Sequence, residues 1–342
     1  YYDPNGTYPT VGWVKLLSVN YYDTYPAYSF NPPFPSSVFG KPVISDTGNA
    51  PVNTKAMPTL SLVKNIEDDN WTKNYAYYDG KGRLISTYAI NHLGGYTKTE
   101  TELDFAGVTQ QSKVYHRRLS GDKEMVIAQS FDYDNQNRMV RHRHQVGPQP
   151  VEILAENTYN ELSQITNKKV GNGLESMDYQ YDIRGALTKI NDPAALGNKL
   201  FGYELKYQNP SYTNIAPGKS NGNISEIDWK SASDGVLKRY SYTYDALNRL
   251  KDAVYTEPNT TNPYNNYYNE YATYDLNGNI KTLKRNAFPV TGTTATQVDD
   301  LVYQYTGNRL DKVIENALND TGYEGGNNLI DYVQNGNSNN MK

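Results

Sequence analysis

The chain has 342 residues, with 33 Lys and Arg against 37 Asp and Glu, and a formal net charge of −4. This balance gives no basic footprint for nucleic acid, and the absence of cysteine excludes disulfides and thiolate metal sites. No apolar run reaches the roughly 18 residues that a membrane-spanning helix needs, so we expect no membrane span.

The first part of the chain is rich in proline and tyrosine. Nine of the 17 prolines lie before residue 60, and proline removes the backbone donors that a continuous sheet requires. We therefore interpret residues 1–70 as an irregular lead-in that packs on the segment after it, with disorder as the alternative.

A short pattern recurs along residues 71–316. Its clearest copy is Tyr242-Thr-Tyr-Asp-Ala-Leu-Asn-Arg-Leu250. Other copies begin at Tyr78, Tyr133, Tyr181 and Tyr274, and looser copies begin at Leu103, Tyr159 and Tyr305. Successive Asp-equivalent positions are mostly 22 to 31 residues apart, a period that is typical of repeat architectures.

Each copy predicts a strand, a tight turn and a returning strand. Tyr242 and Tyr244 alternate with a threonine and so share one face of an extended segment. The Asp accepts a backbone hydrogen bond in an Asx-type turn, and the Gly or Asn three residues later supplies positive φ for a three-residue loop with a bulge. The turn pairs are Asp79 with Gly82, Asp134 with Asn137, Asp182 with Gly185, Asp245 with Asn248 and Asp275 with Gly278. The sequence therefore predicts an all-β fold in which repeated antiparallel β-hairpins form one long sheet.

This repeated Tyr-Asp-x-x-Gly/Asn-Arg-Leu signature resembles the Rhs, or YD-repeat, family over about residues 75–315. The resemblance implies a sheet that winds in a spiral and builds a hollow shell, as in the related toxin-complex and teneurin shells. For bacterial members it implies that the shell encloses a variable C-terminal toxin. The self-cleaving aspartyl segment that ends the family's core has no match in this sequence, so we place neither an autoprotease nor a toxin on it.

The last residues, 317–342, are rich in Asn and Gly, and we expect them to fray. Repeat proteins need capping segments, and neither end of the sequence has the features of one. We therefore expect the sequence to be a piece of a longer polypeptide.

Three sets of residues could carry chemistry. His142 and His144 would share one face of a strand, as two metal ligands could, but a polar strand end explains them equally and no third ligand can be identified. The turn aspartates could form a carboxylate pair for glycoside hydrolysis, although their fixed place in every turn favours backbone capping. The arginines that follow the turn, Arg83, Arg138, Arg249 and Arg309, are expected to pair with an acidic or carbonyl group on the neighbouring hairpin, and a ladder for an anionic ligand is the alternative.

Tyrosines are expected to form an aromatic ladder on the sheet. Its members are Tyr133, Tyr179, Tyr181, Tyr242, Tyr244, Tyr303 and Tyr305. Cross-strand packing explains such pairs without a ligand, whereas the alternative is that the rings stack on a glycan.

The functional interpretation is a structural β-shell segment of a large exported Rhs/YD-repeat protein, at the surface of a Gram-negative bacterium or outside it. The expected partner is the rest of the same polypeptide, such as an encapsulated C-terminal toxin, with export machinery or surface proteins as further partners. No catalytic motif, cofactor or metal is predicted. The alternative is a cell-surface adhesin or carbohydrate-binding module that uses the Tyr-lined faces.

Overall fold

The structure is a computed structural model that describes residues 16–46, 52–289, 292–317 and 330–332. Within these ranges the regular secondary structure is made of β-strands, and no helix occurs in them. The strands pair with antiparallel neighbours, because short connections return the chain beside the strand that it has just left. The prediction of an all-β fold of repeated antiparallel hairpins is confirmed.

The strands have the following bounds. They are β1 Ser18–Tyr22, β2 Ser37–Val38, β3 Lys41–Pro42, β4 Pro58–Lys64, β5 Trp71–Tyr78, β6 Leu84–Ile90, β7 Gly94–Leu103, β8 Thr109–Leu119, β9 Met125–Tyr133, β10 Met139–Val146, β11 Glu152–Tyr159, β12 Ile165–Val170, β13 Glu175–Tyr181, β14 Leu187–Ile190, β15 Phe201–Lys206, β16 Glu226–Ser231, β17 Leu237–Tyr244, β18 Leu250–Thr256, β19 Glu270–Tyr274, β20 Ile280–Ala287, β21 Thr296–Thr306, β22 Arg309–Glu315 and β23 Ile330–Tyr332.

The chain divides into two compact units, residues 1–164 with 168–174 and residues 165–167 with 175–342. In the first unit, β1 pairs with β4, and β4 to β11 then follow in chain order as antiparallel neighbours. In the second unit, β13 to β23 do the same. Strand β12 spans the division, and β2 with β3 forms a separate two-stranded ribbon.

The segment interpreted as an irregular lead-in contributes two strands, β1 and β4, to the sheet of the first unit. Between them lie irregular stretches that carry many of the prolines, as the missing backbone donors require. Residues 1–15 and 47–51 lie outside the described residues, and so does most of the segment 317–342 that was expected to fray.

Tyrosine rings supply much of the core of both units. In the first unit, Leu60, Leu62, Tyr75 and Tyr77 form a buried cluster. In the second unit, the ring of Trp229 stacks on Tyr240 with centroids 5.5 Å apart. Several neighbouring rings extend this cluster, including Tyr242 and Tyr255. Burial raises the pKa of Tyr242 to about 12, because a dry environment disfavours the phenolate.

Candidate functional site: the Tyr-Asp turn edge

In each unit the repeat turns lie on one side of the sheet, at the ends of its strands. They connect β5 to β6, β7 to β8, β9 to β10 and β11 to β12 in the first unit, and β13 to β14, β17 to β18, β19 to β20 and β21 to β22 in the second. Strands of an antiparallel meander alternate in direction, so every second connection falls on the same side. The side chains that recur in the sequence are therefore neighbours in space within each unit.

The turn at Asp79 shows how one copy of the signature folds. Its Oδ1 accepts hydrogen bonds from the amides of Lys81 at 2.9 Å and Arg83 at 3.0 Å. The amide of Gly82 donates to the Asp79 carbonyl at 2.8 Å, and the strand register shifts between Tyr77 and Tyr78. The carboxylate thus caps the loop, and the shift is the bulge that accommodates the extra residue.

The residue three positions after the turn Asp has a left-handed backbone in all five predicted pairs. The φ angles are 74° at Gly82, 62° at Asn137, 83° at Gly185, 62° at Asn248 and 93° at Gly278. Gly has no Cβ to clash in this region, and Asn tolerates it better than other residues do.

Where an arginine follows such a residue, after Gly82, Asn137 and Asn248, it bonds in two directions. Arg83 donates from Nε to Asp79 Oδ2 at 2.8 Å and from Nη1 to the carbonyl of Asp104, in the next turn, at 2.7 Å. Arg138 does the same with Asp134 at 2.7 Å and with the Asn160 carbonyl at 3.0 Å. Arg249 likewise contacts Asp245 at 2.6 Å and the Asp275 carbonyl at 2.8 Å. Arg309 differs, because it is exposed and pairs with Asp311 at 2.9 Å.

The tyrosine directly before the turn bonds backwards to the preceding hairpin. Its hydroxyl donates to the carbonyl of the residue that begins the preceding returning strand or, for Tyr244, of the residue two positions before that strand. The bonds are Tyr133 to Thr109 at 2.8 Å, Tyr159 to Met139 at 2.7 Å, Tyr181 to Ile165 at 3.0 Å, Tyr244 to Ile224 at 2.6 Å, Tyr274 to Leu250 at 2.7 Å and Tyr305 to Ile280 at 3.0 Å.

Neighbouring turns are therefore joined by side-chain bonds from an Arg, a Tyr or both, which we call the turn ladder. Among the described turns, two pairs are joined in both directions: Arg138 and Arg249 reach forward to a carbonyl of the next turn, and Tyr159 and Tyr274 reach back to a carbonyl of the turn before. The Arg138 guanidinium also lies 4.7 Å from the ring centroid of Tyr159, and that of Arg249 lies 4.6 Å from Tyr274. Such cation–π contacts add to the hydrogen bonds.

Hydrogen bonds lower the pKa of three of the turn carboxylates and so favour their charged form. The pKa of Asp134 is lowered chiefly by the hydrogen bond from the Arg138 side chain. The pKa of Asp245 is lowered first by the backbone amide of Arg249, and that of Asp275 by the side-chain amide of Asn279. Donors to a carboxylate favour its ionised form.

The other tyrosines of the expected ladder have different surroundings. Tyr242 stacks on Tyr240 at 5.8 Å, and the hydroxyl of Tyr179 lies 3.9 Å from the sulfur of Met177. Tyr303 is half-buried in β21.

The two candidate metal ligands lie in β10. The ring of His142 stacks on Phe131 at 4.6 Å, and its Nε2 is 3.1 Å from Gln129 Oε1. Burial, followed by the nearby His144, lowers the pKa of His142. No group of three or more His, Cys, Asp or Glu side chains suited to a metal ion occurs among the residues that the structure describes.

Sequence reasoning missed a buried ion cluster in the second unit. Glu226, which is fully buried, accepts hydrogen bonds from Lys206 Nζ at 2.7 Å and from the amides of Ser211 and Tyr212 at 3.0 Å each. Arg239 donates to Asp228 at 2.6 Å and 2.7 Å. The only sequence signal was the alternation of charges with aromatic residues in β16 and β17. The cluster fastens the loop after β15 to the sheet face opposite the Trp229 rings.

Burial would raise the pKa of Asp228, but the hydrogen bonds from Arg239 and Lys206 outweigh it and lower the pKa. The carboxylate therefore stays charged inside the fold, which a buried acid does only when it is paired.

The chain is similar to several solved structures of toxin-complex proteins. The chain matches the Photorhabdus luminescens Tc holotoxin pore with a mutation in TccC3, at 15% identity and a TM-score of 0.41, over 77% of this chain and 15% of that chain. It also matches a TcdB2–TccC3–Cdc42 structure at 15% identity and a TM-score of 0.37, over 79% and 16%. A TcdB2–TccC3–TEV structure matches at 8% identity and a TM-score of 0.30.

The chain thus spans about a sixth of the length of these three matched chains. No family model matches the sequence. No curated protein matches it either. Within the described ranges, no helix has the length and apolar character to cross a membrane.

Proposed function

We propose that the chain is a structural, non-catalytic β-wall segment of a large exported protein of the Rhs/YD-repeat kind. The observation that carries the proposal is the turn ladder, because it uses the recurring Tyr, Asp and Arg side chains to bind one hairpin to the next. Side chains engaged in this way strengthen the sheet. Few of their polar atoms remain free to act on a substrate.

The occupancy of the turn carboxylates supports the non-catalytic role. In the turns at Asp79, Asp134 and Asp245, one carboxylate oxygen accepts backbone amides and the other accepts an arginine. A general acid of a glycosidase needs a raised pKa, whereas these donors lower the pKa of all three.

The finer proposal is that the wall encloses or presents another part of the same polypeptide, such as a C-terminal toxin, outside or on the surface of a Gram-negative bacterium. It rests on the resemblance of the Tyr-Asp repeats. Export machinery and surface proteins are the further proposed partners.

Protease protection of the native polypeptide, followed by mass spectrometry, tests this role. We expect these 342 residues to be recovered within a longer chain that contains a protected segment of different composition. That segment should become cleavable when the turn ladder is weakened by Arg249→Ala. Enclosure would be contradicted if, in the native polypeptide, all segments outside these 342 residues were cleaved as fast as in the unfolded polypeptide.

A carbohydrate-binding module is the alternative. It is less well supported, because the hydroxyls of Tyr133, Tyr181, Tyr244 and Tyr305 are bonded to backbone carbonyls. Binding of a glycan by the isolated chain, lost when one exposed Tyr pair is removed, would favour it over the wall.

A further inference from the structure

Among the five predicted turn pairs, which all lie in the described part of the chain, the turn at Asp182 differs in its second carboxylate oxygen. In the other four predicted turns a side chain reaches the second carboxylate oxygen, from Arg83, Arg138, Arg249 or Asn279. At the corresponding position after Asp182 the chain has Ala186. Within the described part of the chain, the bonds to the Asp182 carboxylate are those of the Arg184 and Ala186 amides, both at 2.9 Å and both to Oδ1. Its Oδ2 accepts no hydrogen bond from any residue that the structure describes.

A groove of about 640 Å³ lies at this position, inside the second unit. Its lining includes Asp182, Ala186, Thr188, Gln208 and Ser220. The ladder is interrupted here, because the Tyr-Asp pair of the next hairpin is replaced by Tyr207-Gln208 and a long loop. The Tyr207 hydroxyl still reaches back to the Leu187 carbonyl at 3.4 Å. The groove therefore lies where other turns have an arginine side chain bound to the turn Asp.

Other charges at the groove already have partners. Lys206 is bound by Glu226 and Asp228 at 2.7 Å each, and Glu204 pairs with Lys189 at 3.3 Å. The Arg184 guanidinium points to the Ser220 carbonyl at 3.4 Å rather than to Asp182.

The Lys219 ammonium lies 5.7 Å from the ring centroid of Tyr244. Among the carboxylates that line the groove, Glu204 has a cationic partner, whereas none reaches Asp182 from the residues in the described ranges.

We propose that this groove binds an arginine side chain of another polypeptide segment, with the guanidinium donating to Asp182 Oδ2 as the ladder arginines do to their own turns. The equivalent distances in the filled turns are 2.8 Å, 2.7 Å and 2.6 Å. A guanidinium fits because it is planar and presents several donors, whereas an ammonium is a point charge. The side chain of Ile183, fully exposed beside the site, offers an apolar surface to the arginine stem. The site is independent of whether the wall encloses a cargo.

The test is a methyl NMR titration of the 342-residue chain with the blocked peptide acetyl-Gly-Arg-Gly-amide. The methyl groups of Ile183 and Ala186 report on the groove directly. We expect saturable shifts at both, and affinity at least tenfold weaker for peptides with citrulline or lysine in place of arginine. Equal affinity for the citrulline peptide would overturn the proposal, because citrulline lacks the charge.

Three variants sharpen the titration. Ala186→Arg should fill the groove from within the chain and abolish peptide binding, while the turn stays folded as at Arg138 and Arg249. Asp182→Asn should weaken binding at least tenfold, and its turn is expected to form because Asn160 caps a turn in the same way. Asp275→Asn is the matched control, since Asn279 already occupies that turn, and should bind as the wild type does.

Unchanged binding in both Ala186→Arg and Asp182→Asn would overturn the proposal. A titration with inorganic phosphate completes the test. If phosphate shifts the same methyl groups and the arginine peptide does not, the groove is an anion site and the arginine assignment is wrong.

Discussion

Each residue of the repeated signature has one identifiable task. The Asp caps the loop with one oxygen and holds the arginine with the other, as Asp134 does with Arg138. The Gly or Asn permits the left-handed backbone. The Tyr before the Asp carries a polar tip to the neighbouring hairpin, which a phenylalanine could not do. This favours tyrosine over phenylalanine at the turn-preceding positions, in a chain that has 33 Tyr and 7 Phe.

The left-handed turn position makes a first prediction. Gly278→Val and Gly185→Val should each lower the free energy of unfolding by about 1–3 kcal/mol, because a β-branched residue resists positive φ. Nothing lies within 4 Å of a Cβ built at Gly278, so crowding does not contribute there. Denaturant unfolding measures the change.

The matched control is Asn at the same two positions. Gly278→Asn and Gly185→Asn should cost less than the Val variants, since Asn137 and Asn248 occupy the equivalent place. Wild-type stability in both Val variants would contradict the assigned turns.

The tyrosine hydroxyl makes a second prediction. Tyr244→Phe removes the donor to the Ile224 carbonyl, which lies 2.6 Å away, and should cost about 0.5–1.5 kcal/mol, the usual value of such a bond. Tyr267→Phe is the control in the same unit, because the ring of Tyr267 packs edge-on against Phe288 with centroids 4.9 Å apart, and the variant keeps that ring. Thermal unfolding should show a lower stability for Tyr244→Phe than for Tyr267→Phe. Equal stabilities would mean that the hydrogen bond of the Tyr244 hydroxyl does not stabilise the fold.

At the scale of the elements, strands are joined by more than their ladders of backbone hydrogen bonds. The buried cluster around Glu226 ties the irregular loop after β15 to β16 and β17, where the Tyr-Asp turn is missing. Two carboxylates and two cations balance one another there. A buried carboxylate in such a network is costly to unpair.

A third prediction concerns this cluster. Glu226→Ala should cost about 3–5 kcal/mol, because it leaves Lys206 and Arg239 with one buried partner fewer. Glu204→Ala is the control, since its ion pair with Lys189 is partly exposed, and should cost about 0–1 kcal/mol. Hydrogen exchange should show faster exchange of the Ser211 and Tyr212 amides in Glu226→Ala alone. Protection unchanged in that variant would contradict the fastening role.

The sequence predicted the hairpins well because their signals are local. The alternating tyrosines of β17 and the Asp245 to Asn248 turn are determined by neighbours within one copy. The partners of Arg249 and Tyr244 depend on the adjacent hairpin, so the sequence could indicate that they pair but not with which atom. The Glu226 cluster could not be predicted at all, because it depends on a loop with no repeat signature. Strand β4 has no repeat signature either, and the proline-rich segment that contains it was interpreted as irregular.

At the scale of the whole molecule, the repeated carboxylates predict how stability changes with pH. The folded-state pKa values of Asp79, Asp134, Asp245 and Asp275 are lowered. Such groups stabilise the fold above their unfolded pKa, about 3.9 for Asp, and lose that contribution as the pH falls through the folded values. Thermal unfolding should therefore show a steep loss of stability below about pH 4.

His142 titrates at a higher pH than these carboxylates. The lowered pKa of His142 means that the unfolded chain binds a proton first as the pH falls, so its contribution decreases from about pH 6.5. His142→Gln should remove that early component and leave the loss below pH 4 in place. A main loss of stability near pH 6 that persists in His142→Gln would contradict the role of the turn carboxylates.

The central claim is that side chains of the turn ladder clamp neighbouring Tyr-Asp turns together, and that an arginine and a tyrosine act together where both cross the same pair of turns. A double-mutant cycle of Arg249→Ala and Tyr274→Phe tests it most directly, because both side chains act across the same pair of turns. We expect the two changes to be non-additive by 0.5 kcal/mol or more, as is usual for residues in contact, and the pair Arg249→Ala with Tyr181→Phe, at separate turns, to be additive within about 0.5 kcal/mol. Additive effects in the first cycle would contradict the turn ladder.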